Sequence, residues 1–382
     1  MKPKKILLTG TRLPCALDLA RQLHRTGHDV YAADTSSWHV TRFSNAITKF
    51  FLIPSPRHFT DDFIDSIVNI VEKEKIDLLI PIWEEVFFLS GVLERFPKSC
   101  EVFCSPFELI HELHNKWLFN NKLGSLGFKT PHSILLRSND DPQLETFKKP
   151  YVLKACYSRG SHRLINSDSQ QIRSMEIAPD NLWIAQEFIQ GEHYSSYSVC
   201  FRGKVLAHSL YPVRYTLDGN TCLVFESVSH QAIFKWVEQF IEKIHYTGQI
   251  AFDFIETPAG DLYAIECNPR ATSGLHLFAK EDRLDQAFLH TASSTIFPRV
   301  GNSKQITMGM LLYGWRMAIS ENKKLQYFKK FISTQDVIFD LKDIKPFLFQ
   351  PCILVSYLFK SKKKGKPIPV WITYDLEWDK EQ

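Results

Sequence analysis

No stretch of this 382-residue chain holds the run of roughly 18 apolar residues that a bilayer crossing requires, although hydrophobic residues make up 44% of it. The start, Met1-Lys2-Pro3-Lys4-Lys5, is basic, but only Ile6-Leu7-Leu8 follows before a turn at Thr9-Gly10. That is too short for the core of a signal peptide and predicts no export. The eight cysteines (Cys15, Cys100, Cys104, Cys156, Cys200, Cys222, Cys267 and Cys352) include no Cys-x-x-Cys pair, so neither a zinc site nor a redox dithiol is signalled. Scattered thiols without an export signal fit a reducing cytoplasm. A dominant charge is also missing: 46 basic and 42 acidic residues leave +4, too little to argue for nucleic acid. The local exception is Lys360-Ser361-Lys362-Lys363-Lys364-Gly365-Lys366. It could touch anionic lipid or RNA, but a solvated loop is the simpler expectation.

Two glycine fingerprints are absent as well. Thr9 to Cys15 carries one glycine where close approach to a pyrophosphate calls for G-x-G-x-x-G, and G-x-x-x-x-G-K-[ST] occurs nowhere. Asp34 follows that turn at the distance an NAD ribose contact would need. The turn nonetheless argues for a Rossmann-like scaffold without NAD, and against an oxidoreductase.

Strand and helix alternate through the first hundred or so residues. Strand Lys5 to Leu8, helix Pro14 to Arg25 closed by Gly27, strand Asp29 to Ala33, helix Asp61 to Glu74 and strand Asp77 to Pro81 predict a parallel sheet covered on both faces. From Phe107 a helical stretch runs through Lys116 and Leu123 to Gly127. Strands Tyr151 to Ala155 and Trp183 to Phe188, a hairpin turning at Arg202-Gly203, helix Gln231 to Ile244 and a hairpin from Gly248 to Pro269 follow. This mixed α+β pattern differs from the first unit and places a boundary near residue 105. After residue 295 the signals weaken into a small closing lobe ending with Trp371 to Trp378. The expected division is 1–105, 106–295 and 296–382.

The second hairpin carries the most chemistry. An even-length loop centred on Ala259-Gly260 places Asp253 opposite Glu266, with Asn268 on the same face; an odd-length loop without a bulge would break that pairing. Directly opposed carboxylates repel one another. A divalent cation relieves this, and two carboxylates with an amide suit Mg²⁺. The spacing alone fits a solvent-facing hairpin with two surface acids equally well. Arg270, directly after these residues, tips the reading, because a fork of donors beside a metal can hold a transferring phosphoryl group. Lys154 ends an apolar strand and precedes Ser158-Arg159-Gly160-Ser161, where a point charge and loop N–H groups could take phosphates. Read alone, this is an ordinary solvated strand end. Gln186-Glu187-Phe188-Ile189, with Glu192 after a glycine bend, offers backbone for an adenine edge and a carboxylate for ribose, or else a plain strand and turn.

In this order and spacing the three segments resemble the ATP-grasp superfamily, most closely the branch with carbamoyl-phosphate synthetase large-chain domains and stand-alone carboxylate–amine ligases. The resemblance covers about residues 1–290 and implies a two-lobed ATP-grasp fold behind an N-terminal Rossmann-like, pre-ATP-grasp sheet. It implies that Asp253, Glu266 and Asn268 hold Mg²⁺, for which Mn²⁺ could substitute. Arg270 would touch the transferred phosphoryl group, Lys116 and Lys154 the nucleotide phosphates, with Ser158, Gly160 and Ser161 as the phosphate loop. Gln186, Glu187, Phe188 and Ile189 would form the adenine hinge, and Glu192 the ribose contact. Two departures stand out: Asn115 where many relatives have aspartate, and a loop less rich in glycine.

The implied activity is ATP-dependent ligation of a small carboxylate to an amine, amino acids among the candidates, through an acyl phosphate. A nucleotide-binding regulator that kept the fold is the other reading. Arg214 is favoured as a substrate contact and His208 as a plain strand histidine. Glu84-Glu85, at the end of a parallel strand, is a candidate to contact the amine or the closing lobe.

Overall fold

A computed structural model describes residues 2–138, 141–147, 150–157, 164–165, 177, 182–214, 216–217, 221–314, 324–365 and 372–378. In the first hundred residues, the expected alternation produces β1 (Lys5–Thr9), α1 (Pro14–Arg25), β2 (Asp29–Asp34), β3 (Ile47–Leu52), α2 (Thr60–Glu74), β4 (Leu78–Pro81), α3 (Glu85–Ser90) and β5 (Glu101–Val102). The five strands form one parallel sheet ordered β3-β2-β1-β4-β5. Parallel strands need both faces covered, and Ile6 and Leu8 go to one core while Leu7 and Leu79 go to another. Proline opens α1 at its first turn, where its missing N–H has no intrahelical partner to lose.

The helical stretch after Phe107 is two helices, α4 (Phe107–His114) and α5 (Lys116–Ser125). The break is Asn115, whose side-chain oxygen accepts from the N–H groups of Trp117 and Leu118, both at 3.0 Å. An aspartate would cap the same helix in the same way, so the departure at Asn115 leaves the placing of Lys116 unchanged.

Two antiparallel sheets follow. One, ordered β6-β9-β7-β8, comprises β6 (Ser133–Leu136), β7 (Tyr151–Ala155), β8 (Leu164–Ile165) and β9 (Trp183–Glu187). The other, β11-β10-β15-β16, comprises β10 (Glu192–Phe201), β11 (Lys204–Pro212), β15 (Gly248–Glu256) and β16 (Leu262–Asn268). Between β11 and β15 in sequence lie the short β12 (Thr216–Leu217), β13 (Thr221–Cys222) and β14 (Val224–Glu226), and helix α6 (Gln231–Ile244). Arg202 and Gly203 both take positive φ, 48° and 79°, as a tight two-residue hairpin turn requires.

Many of the phenylalanines fall under the second sheet. Phe119, Phe240, Phe252 and Phe254 are fully buried with Trp236 among them, each such ring worth about 1.5–3 kcal/mol of burial. That packing fixes the hairpin from below. The opposite face shares a core with the parallel sheet, where Ile6, Leu8 and Leu19 meet Tyr197, Val199 and Leu275.

The end of the chain is more ordered than its weak signals suggest. β17 (Ser303–Gln305) and β18 (Gln335–Asp336) form a small sheet with β14, alongside α7 (Lys324–Ser333) and α8 (Lys345–Lys364). Residues 372–378 return to the N-terminal unit. Arg12 Nη1 donates to the Ile372 carbonyl at 2.7 Å, Arg57 lies 4.0 Å over the Tyr374 ring, and Trp378 stacks on Phe87 at 5.1 Å. No helix among the described residues is long and apolar enough to cross a membrane.

Candidate functional site

The hairpin of β15 and β16 pairs Asp253 with Glu266, as expected, by a different route. Its loop, Thr257 to Asp261, is odd in length, and next to it Glu256 faces Leu262 and Phe254 faces Ala264. A register shift between Asp253 and Phe254 leaves Ile265 as the extra residue and restores the pairing beyond it. The even-length loop was therefore wrong and the bulge makes the site.

Across the whole sheet, Tyr211, Ser195, Asp253 and Glu266 stand in one register row. All four line a cavity of about 390 Å³ together with Asn268, Arg270, Trp83, Cys15, His193 and His276. Burial pushes the thiols of Cys15 and Cys222 up to about 12, so neither is a thiolate nucleophile at neutral pH. The Tyr211 hydroxyl is likewise raised by burial.

Arg270 is almost fully buried and held on several sides. Nη2 donates to Asn268 Oδ1 at 3.1 Å, Nη1 to the Ala271 carbonyl at 3.2 Å, and the guanidinium lies 3.5 Å over the Trp83 ring. Its Nε is 3.7 Å from Glu84 Oε1. Glu84 Oε2 also accepts from the Trp378 N–H at 3.2 Å, so this residue touches the C-terminal segment. Glu85 behaves differently. It accepts from Thr9 Oγ1 and the N–H groups of Ile82 and Trp83, and burial raises its carboxyl pKa. Gly10 leaves room for it, since a Cβ there would come within 2.6 Å of Glu85 Oε2. Glu85 is a structural acid.

The donor set fits a hard divalent cation. Two carboxylates opposed on adjacent strands and a nearby amide oxygen give three oxygen ligands. Asn268 Oδ1 keeps a second lone pair beyond the one facing Arg270. Lys116, remote in sequence, comes within 3.7 Å of Glu266 Oε1. The opposed acids therefore have a basic neighbour that sequence spacing did not show.

A second, smaller cavity is lined by Lys154, Gln186, Glu187, Phe188 and Ile189 with Val152, Ile255, Ile265 and His193. It brings together the lysine and the four hinge residues. Lys154 is buried and donates to Gln186 Oε1 at 2.9 Å, while Gln186 Nε2 donates to Ser133 Oγ at 3.3 Å. Gln186 therefore orients the lysine. His193 and Ile265 line both cavities, which makes them neighbours.

Two expected residues stand apart, and His208 is the plain strand histidine expected. Glu192 is exposed at the start of β10, opposite Glu256, and lines neither cavity. Arg214 is exposed and its neighbour Val213 takes the cavity position. His208 is a buried strand histidine, hydrogen-bonded to Ser198 Oγ at 2.9 Å and held near pKa 3 by burial. Ser158, Gly160 and Ser161 lie outside the described residues.

Sequence reasoning missed His276 and Asp18. His276 sits in the helical turn after Arg270, pressed to the sheet where Gly274 has no space for a Cβ (2.5 Å from Tyr197 Cβ). Its Nδ1 is 2.5 Å from Asp18 Oδ2 on α1. They are 258 residues apart, and no local pattern joins them.

A parallel sheet, two antiparallel sheets with a lysine-lined cavity between them, and a carboxylate pair beside an arginine make up a mixed α/β protein. Residues 113–274 match the family model of the ATP-grasp domain. No curated relative matches its sequence. Among solved structures it is similar to N5-carboxyaminoimidazole synthetase from Staphylococcus aureus complexed with ADP (TM-score 0.60, 16% identity, 79% of this chain and 81% of that one). It is similar to L-amino acid ligase from Bacillus licheniformis (0.58, 16%, 75% and 75%). The biotin carboxylase domain of Hydrogenobacter thermophilus 2-oxoglutarate carboxylase, with MgADP and bicarbonate, is a third (0.60, 15%, 78% and 71%). At these identities the likeness is one of fold.

Proposed function

We propose that this chain is an ATP-dependent ligase that joins a small carboxylate to an amine through an acyl phosphate, releasing ADP and phosphate. The observation that carries the reading is the register row that sets Asp253 against Glu266 in one cavity with Asn268 and Arg270, next to the pocket of Lys154 and Gln186 to Ile189. ATP lies with its adenine against residues 186–189 and its phosphates toward Lys154 and Lys116; Ser158, Gly160 and Ser161 cap them, and Glu192 serves the ribose. Asp253, Glu266 and Asn268 would hold Mg²⁺, or Mn²⁺, which would supply charge neutralisation at the phosphate oxygens. The substrate carboxylate attacks the γ-phosphorus, and Arg270, already fixed by Trp83, Glu84 and Asn268, stabilises the charge that develops there. Arg214 is left as a contact for a substrate reaching the cavity rim.

The amine arrives as an ammonium and must lose a proton before it can attack. His276 has Nδ1 occupied by Asp18, so Nε2 is the nitrogen available to a molecule in the cavity. It takes one ammonium proton; the C–N bond forms, the C–O bond to the phosphoryl group breaks with its electron pair going to phosphate, and phosphate takes the second proton. Asp18 positions the ring. The division into 1–105 (scaffold), 106–295 (ATP site) and 296–382 (closing lobe) belongs to the same proposal, as does a cytoplasmic setting, which eight free thiols support.

The test is ADP release from MgATP with paired amino acids and small carboxylates. Turnover that depends on a carboxylate is expected. ATP binding without turnover for any pair would instead support the nucleotide-binding regulator.

A further inference from the structure

Helix α8 is apolar on two faces and buries one. Ile353 and Tyr357 join a core with Leu17, Tyr211 and Leu277, and Phe349 stacks on Phe43 at 4.1 Å. On the other face Leu348, Cys352, Val355 and Phe359 recur at intervals of four, three and four, which aligns them along one side of a helix. All four are exposed, Leu348 at 62% and Phe359 at 73%, with Leu358 beside them. Isolated surface apolar residues are ordinary; a continuous stripe marks something that covers it.

The chemistry of the cover follows from the charge around the stripe. The next turn on the same face carries Lys362 and Lys363, both exposed. From Ile344 to Tyr374 the sequence holds six lysines and no acid. The helix contains Pro351 and ends in lysines, and it does not qualify as a membrane span. It has the character of a helix that lies in the plane of a lipid interface, one side in the acyl boundary and cations at the headgroups. Lysine suits this, since its apolar stem follows the surface while the ammonium rises into water. A second copy of this chain is a poorer cover, because a symmetric contact would set one lysine tract against another.

We propose that this face of α8 docks on an anionic phospholipid surface, with Leu348, Val355 and Phe359 entering the acyl boundary and Lys362 and Lys363 meeting the headgroups. This takes up the other reading of the lysine tract, contact with anionic lipid, and it does not depend on the proposed reaction. Each lysine near such a surface contributes about fivefold in affinity, so two account for roughly thirtyfold.

The experiment is co-flotation of the full chain with vesicles of phosphatidylcholine alone and of phosphatidylcholine with phosphatidylglycerol. Binding to the mixed vesicles, release by salt and weak association with phosphatidylcholine are expected. K362Q/K363Q should weaken mixed-vesicle binding roughly thirtyfold, and L348S/F359S should abolish it. Unchanged melting temperature and ATP affinity would show that both variants fold. Cys352 is the one exposed cysteine, and an environment-sensitive fluorophore on it should shift to the blue on mixed vesicles. Equal binding to both vesicle types, no binding to either, or a dimer that L348S/F359S converts to monomer would overturn the proposal.

Discussion

Two clusters of charge, one closed and one open to a cavity, differ in how their charges balance. At the end of β2, Arg12 pairs with Asp34 at 2.6 Å and with Asp375 at 2.7 Å, and Asp34 also accepts from the N–H groups of Arg12 and Ser36. Burial works against the Asp34 charge, but Arg12 overrides it and holds the carboxyl below its ordinary range. Residues 372–378 of the same chain close over this cluster. At the hairpin of β15 and β16, two acids face each other in an open cavity, with an arginine whose guanidinium lies over a tryptophan and beside Glu84. Opposite charges locked together serve the fold. Two acids set against each other, with a lysine and an arginine beside an open cavity, serve a ligand, which is why the ligand reading attaches to the second cluster and not to the first.

The sharpest way to break this contrast is to neutralise one acid in each cluster. Asp253→Asn or Glu266→Gln should lower turnover on the order of 10³-fold while the melting temperature stays level or rises slightly, since a repulsion is relieved. Asp34→Asn should do the reverse: a loss of about 3 kcal/mol in stability, because Arg12 keeps Asp375 but loses its fully buried partner, with unchanged turnover in the protein that remains folded. Denaturant unfolding beside ADP-release kinetics reads both. If the two variants behave alike, the distinction fails.

His276→Asn should slow amide formation with an ammonium substrate by about 10²-fold or more. Hydroxylamine is already a free base at neutral pH, so its capture of the acyl phosphate as hydroxamate should change little. Asp18→Asn should give a milder version of the same split. Equal losses for both nucleophiles would make the pair structural.

Lys154→Ala should weaken ATP binding by about 2 kcal/mol, some thirtyfold, and leave adenosine binding nearly unchanged, as calorimetry would show. Equal losses for both ligands would place the lysine outside the phosphate site.

The smallest effect is a control outside both clusters. Burial holds His208 near pKa 3 and His39 near 4, against an ordinary 6.5. The unfolded chain therefore binds their protons first, and stability falls as pH drops below about 6.5, by up to about 1.4 kcal/mol per pH unit for each histidine. His208→Gln should remove its share of that slope in unfolding measured between about pH 6 and pH 4. Turnover at neutral pH should not move.

The hairpin was legible because it is local. Alternation, a turn and three polar residues fix which side chains share a face, and the Asp253–Glu266 pairing emerges even though the bulge at Ile265 that secures it carries no sequence mark. Lys154 with Gln186 was legible as two strands but not as a hydrogen-bonded pair. What escaped depends on chain crossing: Lys116 beside Glu266, Trp83 and Glu84 around Arg270, and Asp18 on His276 each join segments far apart in sequence. Arg214 misled for the opposite reason. Its neighbours alternate correctly, but Val213 holds the inward position. The C-terminal segment gave weak signals because its order comes from Arg12, Arg57 and Phe87, not from its own periodicity.

The central claim is that the γ-phosphoryl group passes to a carboxylate. Oxygen-18 placed in the substrate carboxylate tests it most directly. One labelled oxygen should appear in the released phosphate, with ADP as the other nucleotide product, once the amine has reacted. Unlabelled phosphate, or AMP with pyrophosphate, would contradict the account.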